Sequence, residues 1–202
     1  MIGQNFMGDN MKPILFNTGM VRAILNGTKT VTRRVVKPQP EKGAHSPYEC
    51  VGGRFAFRIG ERACTNQYNP PYRPGDILYV REAWTQDGDV FRYKAGFYNQ
   101  NRRWHPSIHM PREAARIFLR VKDVRVERLQ EITPEQIDAE GCKEFGFSVE
   151  TGELMPSSPC YFSIVWNNTI KKADRALYGW DANPWVWVIE FERISREEAE
   201  HE

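Results

Sequence analysis

The stretch GTKTVTRR, residues 27–34, begins where a short amphipathic helical pattern ends and continues as a strand-like run. Its last six residues contain one lysine, two threonines and two arginines. Alternation along a strand places on one face Thr30, Thr32 and Arg34, and on the other face Val31, Arg33 and Val35. With Lys29 at the mouth of the strand, the pattern predicts a cluster that handles anions or activates a nucleophile. The alternative is an exposed edge strand whose charges protect it from aggregation.

Length and composition indicate one domain with insertions rather than two independent domains. The 202 residues are 41% hydrophobic, which is enough for a core. A mean hydropathy of −0.61 and the lack of a long apolar run argue against a membrane span. We expect a single domain over 12–194 with insertions at about 37–73, 85–112 and 144–183, a disordered leader at 1–11 and a charged tail at 195–202. Residues 1–10 lack a signal-peptide pattern, so a cytoplasmic protein is expected.

Cysteine and histidine spacing gives no metal-site pattern. The cysteines form no close pair, which indicates reduced thiols; they are Cys50, Cys64, Cys142 and Cys160. His105 and His109 are four residues apart, but Pro106 lies between them and no acidic or thiol partner is near. We therefore expect neither a metal ion nor an organic cofactor.

Charge is distributed unevenly along the chain. Residues 1–130 hold 22 Lys and Arg against 11 Asp and Glu, whereas 131–202 hold 6 against 15, although the net charge is only +2. A basic front portion with interleaved aromatic residues indicates a polyanionic partner, most simply RNA, with DNA as the alternative. The other interpretation is that the acidic portion folds back and neutralises the basic one. The sequence does not indicate an oligomeric state.

Hydrophobic periodicity predicts short strands with few helices. Strands are expected at 12–16, 31–35, 54–58, 77–80, 90–94, 117–126 and 185–191, and helices at 18–25, 134–140 and 158–169. No repeated βαβ spacing is present. The pattern predicts an α+β fold in which five to seven strands close into a barrel, with about three helices outside and long loop insertions.

Two further segments carry candidate functional residues. After the strand at 77–80, Arg81 and Glu82 point to opposite faces and Trp84 shares the face of Glu82, which suits phosphate contact and base stacking. A half-buried tryptophan beside an ion pair is the alternative. Thr18 is the expected cap of the first helix. Asn17, just before that helix, can reach the loop that carries Lys29, or it can serve as a turn residue.

The helix at 134–140 has the clearest boundaries. Thr133 is the expected N-cap, with Gln136 completing a capping box, and Gly141 is the expected stop. Glu140 then ends the helix, where the negative end of the helix dipole tends to raise a carboxyl pKa. That placement suits a general acid or base; a solvated surface glutamate is the alternative.

Five motifs in this order resemble the ASCH domain family. They are FNTGMVRAILNGTKTVTRR, RPGDILYVREAW, HMPREAARI, LQEITPEQIDAEG and NPWVWVIEF, and together they extend over nearly all of 12–193. The longer phage- and prophage-associated members are the most similar. The resemblance implies a PUA-like barrel with helices at its rim and a cleft that binds RNA or a nucleotide.

Small bacterial members of that family are acetylcytidine amidohydrolases. Their catalytic lysine and threonine correspond to Lys29 and Thr32, and their glutamate corresponds to Glu140. The resemblance therefore implies hydrolysis of an acyl group from a modified cytidine, with Thr32 as the nucleophile, Lys29 as its base and Glu140 as the acid and base. Expected substrate contacts come from Asn17, Arg33, Arg34, Arg81, Glu82 and Trp84. A non-catalytic nucleic-acid-binding module and a ribonuclease are the alternatives.

Overall fold

A five-stranded sheet forms the centre of the computed structural model, which describes residues 10–63, 66–96, 102–142 and 158–201. The sheet consists of β1 (Lys12–Leu15), β6 (Ile77–Arg81), β9 (Phe118–Arg128), β10 (Trp185–Ile194) and β2 (Val31–Val35), in that spatial order. β1 and β6 are parallel, and every other neighbouring pair is antiparallel. All five strands lie where the hydrophobic patterns predicted them, to within three residues at either end.

The stretches predicted as insertions contain further strands. β3 (Ala44–Cys50), β4 (Arg54–Ile59) and β5 (Arg62–Ala63) form a three-stranded sheet, and β7 (Trp84–Asp87) pairs with β8 (Val90–Tyr93). The ten strands of the described residues exceed the predicted five to seven because β3, β5 and β7 have polar, weakly alternating sequences. Residues 144–157 of the predicted insertion at 144–183, and residues 1–9 of the predicted leader, lie outside the described residues.

Five α-helices occur in the described residues, two more than predicted. They are α1 (Thr18–Leu25), α2 (Pro134–Ala139), α3 (Pro159–Thr169), α4 (Arg175–Tyr178) and α5 (Arg196–His201). The two extra helices are short, and α5 lies in the segment predicted as a charged tail. No helix in the described part of the chain is long and apolar enough to cross a membrane.

Apolar side chains pack on both faces of the central sheet. One cluster joins α1 and the β3–β4–β5 sheet to it; Ile24, Phe57, Leu119 and Ile189 are among its buried members. The second packs α2 and α3 against β2 and β10, and Phe162 and Trp166 are buried within it. β10 contributes to both clusters because alternate residues of a strand point to opposite faces. β2, α1, α2 and α3 are thereby held around one region.

The structure confirms a mixed α and β fold built on a mainly antiparallel sheet. Strand pairing among the described residues gives open sheets, with β1 and β2 as the two edges of the central one. Arg34 Nη2 donates to the Leu15 carbonyl oxygen at 3.0 Å, so a side chain connects these two edges. A PUA-like closed barrel stays a prediction.

Candidate functional site

The loop between α1 and β2 carries Lys29 into the interior. Asn17, not Thr18, is the N-cap of α1, because its Oδ1 accepts a hydrogen bond from the Met20 amide at 2.9 Å. After α1 the backbone turns at Gly27, which has a φ of +77°, a conformation that glycine adopts without strain. The Lys29 amide then donates to the Ala23 carbonyl at 3.1 Å. The ammonium group is therefore placed by backbone contacts to the helix that precedes it.

Helix α2 ends at Ala139, one residue before the predicted end, and Glu140 is its C-cap, whose carboxylate lies beside Lys29. Thr133 and Gln136 form the predicted capping box at the start of the helix. Gly141 follows with a φ of +81°, and a Cβ there would lie 2.6 Å from the Cβ of Ala23. A residue with a side chain at this position would push the end of α2 away from Lys29. The close approach of the two helices therefore depends on glycine.

Lys29 and Glu140 form a buried ion pair. The Lys29 Nζ donates to Glu140 Oε2 at 2.7 Å, to the Glu140 carbonyl at 3.0 Å and to the Val31 carbonyl at 2.6 Å. The lysine side chain is 0% exposed and that of the glutamate 6%. Burial lowers the pKa of the Lys29 ammonium, while the charge of Glu140 and its hydrogen bond act in the opposite direction.

Arg33 holds the other oxygen of Glu140. Its Nη1 donates to Glu140 Oε1 at 3.2 Å, while its Nη2 donates to Gln136 Oε1 at 2.8 Å and to Glu127 Oε2 at 3.2 Å. Both Gln136 and Glu140 project from α2, so one guanidinium connects β2 to that helix at two points. Both carboxylate oxygens of Glu140 thus accept a hydrogen bond from a cation.

Thr32 lies on the wall of a partly open pocket that we call the Thr32 cavity; its space of about 380 Å³ includes open solvent. Its polar wall is formed by Thr32, Arg33, Arg34 and Glu140, and apolar residues opposite include Met20, Phe162, Val165 and Trp166. Arg34 Nη1 donates to Thr32 Oγ1 at 3.3 Å. Burial lowers the pKa of the Arg34 guanidinium, and the charge of Glu140 raises it. A hydroxyl, a carboxylate and a guanidinium therefore line one pocket, and Lys29 is bonded to the carboxylate without lining the pocket itself.

Two more open cavities adjoin Arg34. The Lys37 cavity, of about 570 Å³, is lined by Arg33, Arg34 and Lys37 together with Trp166. The Asn17 cavity, of about 830 Å³, is lined by Asn17 and Arg34 together with Tyr72. Asn17 therefore caps α1 and lines a cavity that it shares with Arg34, and its contact with the Lys29 loop stays a prediction.

Arg81, Glu82 and Trp84 lie elsewhere, and none of them lines these three cavities. The Arg81 guanidinium donates to the Met110 carbonyl at 3.0 Å and to the Ile108 carbonyl. Glu82 is paired with Arg116 by two hydrogen bonds of 2.8 and 3.1 Å. The Trp84 ring packs on Phe91 and His105. In this structure the three side chains contact other groups of the protein, just after the C-terminal end of β6.

Sequence reasoning missed several residues of the site. Trp166 has the helical spacing of a core residue and is buried, but it also lines the Thr32 and Lys37 cavities. The sequence pattern identified Gln136 only as part of the capping box, and no sequence feature indicated that Glu127 contacts Arg33. Cys142 lines the Thr32 cavity, and burial raises the pKa of its thiol to about 12, so it is unreactive as a nucleophile near neutral pH.

Metal chemistry has no obvious donor set in the residues that the structure describes. No group of three or more His, Cys, Asp or Glu side chains there is placed to hold an ion. The groups that face the Thr32 cavity are instead suited to proton transfer and to binding negative charge. No family model, curated protein or solved structure matches this chain.

Proposed function

We propose that the protein is an amidohydrolase that removes an acyl group from the exocyclic amine of a cytidine-type base. The observation that carries the proposal is the Lys29–Glu140 ion pair, buried behind a cavity whose wall presents Thr32 and Arg34. These are the residues that the ASCH resemblance pairs with the catalytic lysine, threonine and glutamate of acetylcytidine amidohydrolases. The open sheet whose edges meet at Arg34 is compatible with a PUA-like fold.

The buried ion pair can exist as two neutral groups. Transfer of one proton from Lys29 Nζ to Glu140 Oε2, across 2.7 Å, gives an uncharged amine and an uncharged carboxylic acid. The proposed reaction proceeds from this neutral form, and burial, which lowers the pKa of the Lys29 ammonium, assists the loss of its proton. The amine can then act as a base, and the acid can act as a proton donor.

Acyl transfer to Thr32 is the first chemical step. Thr32 Oγ1 attacks the acyl carbonyl carbon and its proton passes to the Lys29 amine, while Arg34 stabilises the negative charge that develops on oxygen. The bond from the carbonyl carbon to the exocyclic nitrogen breaks as Glu140 gives that nitrogen its proton. Cytidine leaves with a free amine, and Thr32 carries an ester.

Hydrolysis of the ester completes the cycle. The Glu140 carboxylate takes a proton from water, and the resulting hydroxide adds to the ester carbonyl. The Thr32 oxygen leaves and recovers its proton from the Lys29 ammonium. The products are cytidine and the carboxylic acid, and the two buried groups return to their starting state. In this arrangement the base packs against Trp166, rather than against Trp84 as the sequence suggested.

The test is deacylation of acetylcytidine, supplied as the nucleoside and within RNA. The two readouts are chromatography of the base and measurement of released acetate. We expect turnover by the unaltered protein and a loss of about 10³-fold or more in Thr32→Ala. Thr30→Ala is the matched control, since Thr30 is exposed and lines none of the three cavities. Absence of turnover on both substrates, with an intact fold, would rule out the proposal.

A second candidate function, a non-catalytic RNA-binding module, is supported by the contacts of Lys29. All three of its N–H donors are used by acceptors of the protein itself, which also suits a purely structural role. Salt-dependent binding of oligonucleotides that is unchanged in Thr32→Ala, without turnover of any acylated base, would favour this module. RNA and DNA oligonucleotides of the same sequence would show its preference.

A further inference from the structure

The Lys37 cavity has the character of an anion site. Arg34 and Lys37 both line it, and none of the described residues that line it is acidic. The three hydrogen bonds of Arg34 leave two of its five N–H groups without an acceptor among the described residues. The desolvated guanidinium therefore has unused donors beside an open space.

Lys37 is free to turn toward a ligand. Its ammonium lies 4.7 Å from the centre of the Tyr178 ring, and it has no carboxylate or carbonyl partner among the described residues. The residue is exposed, and a cation–π contact at an exposed site is weak. A hydrogen-bonded anion would compete well with the ring for this ammonium.

The Lys37 cavity adjoins the Thr32 cavity, since four residues line both. These shared residues are Arg33, Arg34, Trp166 and Thr169. The Trp166 indole N–H donates to the Tyr178 carbonyl at 2.8 Å, which fixes the plane of the ring between the two spaces. A ligand with a reactive group at Thr32 and a ring on Trp166 would extend directly into the basic cavity.

We infer that the Lys37 cavity binds a phosphate group attached to the sugar of the substrate, with Arg34 and Lys37 as its two cationic ligands. The inference rests on the proposed function, since it places the acylated base in the Thr32 cavity. The preferred substrate is then an acylated cytidine nucleotide rather than the free nucleoside. A terminal phosphate and an internal phosphodiester present the same charged oxygens to these two residues.

The test measures binding without chemistry, by titration calorimetry of the full chain with three product-like ligands. These are cytidine, cytidine 5′-monophosphate and the dinucleotide of two cytidines. We expect at least one phosphate-bearing ligand to bind about tenfold more tightly than cytidine, because its charged oxygens gain hydrogen bonds from two cations. In Lys37→Ala this preference should fall to about threefold or less, and Lys37→Arg should retain most of it.

The control is Lys122→Ala, which removes an exposed lysine of β9 that lines none of the three cavities. It should leave the preference unchanged. A preference only for the monophosphate identifies a terminal phosphate, and a preference only for the dinucleotide identifies a phosphodiester. Equal affinities for all three ligands, or a preference that survives Lys37→Ala, would overturn the inference. Deacylation with no such preference would leave the proposed function standing, and a preference without deacylation would leave a nucleotide-binding site.

Discussion

Two glutamates of this molecule are buried beside cations, one after α2 and one after β6. Glu140, at the end of α2, accepts hydrogen bonds from Lys29 and Arg33. Glu82, after β6, accepts two from Arg116. Both residues are at most 5% exposed. By sequence alone, both looked like candidates for a functional site.

The surroundings of the two carboxylates differ. Glu140 lines a cavity, and the side chains of both its cations are 0% exposed. Arg116, the partner of Glu82, is 32% exposed and lies 4.1 Å from the centre of the Tyr93 ring. A buried ion pair is therefore not a sign of a site by itself. What distinguishes Glu140 is a space beside it in which a substrate could meet the carboxylate.

The largest expected effect is on activity. Glu140→Gln should reduce the deacylation rate by about 10²- to 10⁴-fold, because the amide can neither donate the required proton nor accept one from water. Glu82→Gln should change the rate by less than about threefold, since that carboxylate is bonded to Arg116 and lines none of the three cavities. The measurement is initial rate on acetylcytidine, well below the unfolding temperature of each variant. Equal losses in both variants would contradict the distinction.

The next effect is on stability. Glu140→Ala should lower the free energy of unfolding by about 3–5 kcal/mol, because it leaves the ammonium of Lys29 buried without its counter-charge. Glu82→Ala should cost about 1–3 kcal/mol, because the partly exposed Arg116 can turn toward water. Urea unfolding followed by circular dichroism measures both. A larger loss for Glu82→Ala would mean that Arg116, left without its counter-charge, is less solvated than Lys29.

Sequence patterns predicted the parts of the site that local chemistry determines. The capping box and Gly141 placed Glu140 at the end of α2, and alternation placed Thr32 on a strand beside two arginines. These predictions depend on residues within a few positions of one another. Asn17 took the cap that Thr18 was expected to provide because both residue types accept such hydrogen bonds.

Long-range pairing was beyond the reach of these patterns. β6 and β2 are separated in the sheet by β9 and β10, so alternation along β6 says nothing about where Arg81 points relative to Thr32. The contact between Arg33 and Glu127 joins residues 94 positions apart. The extra strands β3, β5 and β7 were missed because their stability comes from the pairing of polar segments.

A smaller effect on stability should separate two glycines, Gly141 beside Glu140 and Gly75 in the turn before β6. Gly141→Ala should cost about 2–4 kcal/mol, since it combines a positive φ with a Cβ only 2.6 Å from that of Ala23. Gly75→Ala, in the turn before β6, should cost about 1–2 kcal/mol, because its φ is +88° but nothing lies within 4 Å of the added atom. Thermal unfolding measures both. Equal costs would mean that α1 and α2 can separate without loss.

The smallest effect is a pH dependence of the free energy of unfolding, which has opposite signs at Glu82 and Glu135. Burial raises the pKa of Glu82 above its ordinary value of 4.5, and Arg116 only partly offsets this. The folded state therefore holds that proton longer than the unfolded state, so the stabilisation is present below pH 4.5 and is lost as pH rises through the folded pKa. Relative to Glu82→Gln, the wild-type chain should lose stability as pH rises through this window.

Glu135, in the first turn of α2, gives the opposite case. A hydrogen bond from its own backbone and one from the Thr133 hydroxyl lower its pKa below the same ordinary value. Its stabilisation is therefore present above pH 4.5 and is lost as pH falls through the folded pKa. The wild-type chain should gain stability relative to Glu135→Gln as pH rises. Urea unfolding at half-unit steps from pH 3 to pH 7 compares the two variants, and slopes of the same sign would contradict the assigned cause at one of the two residues.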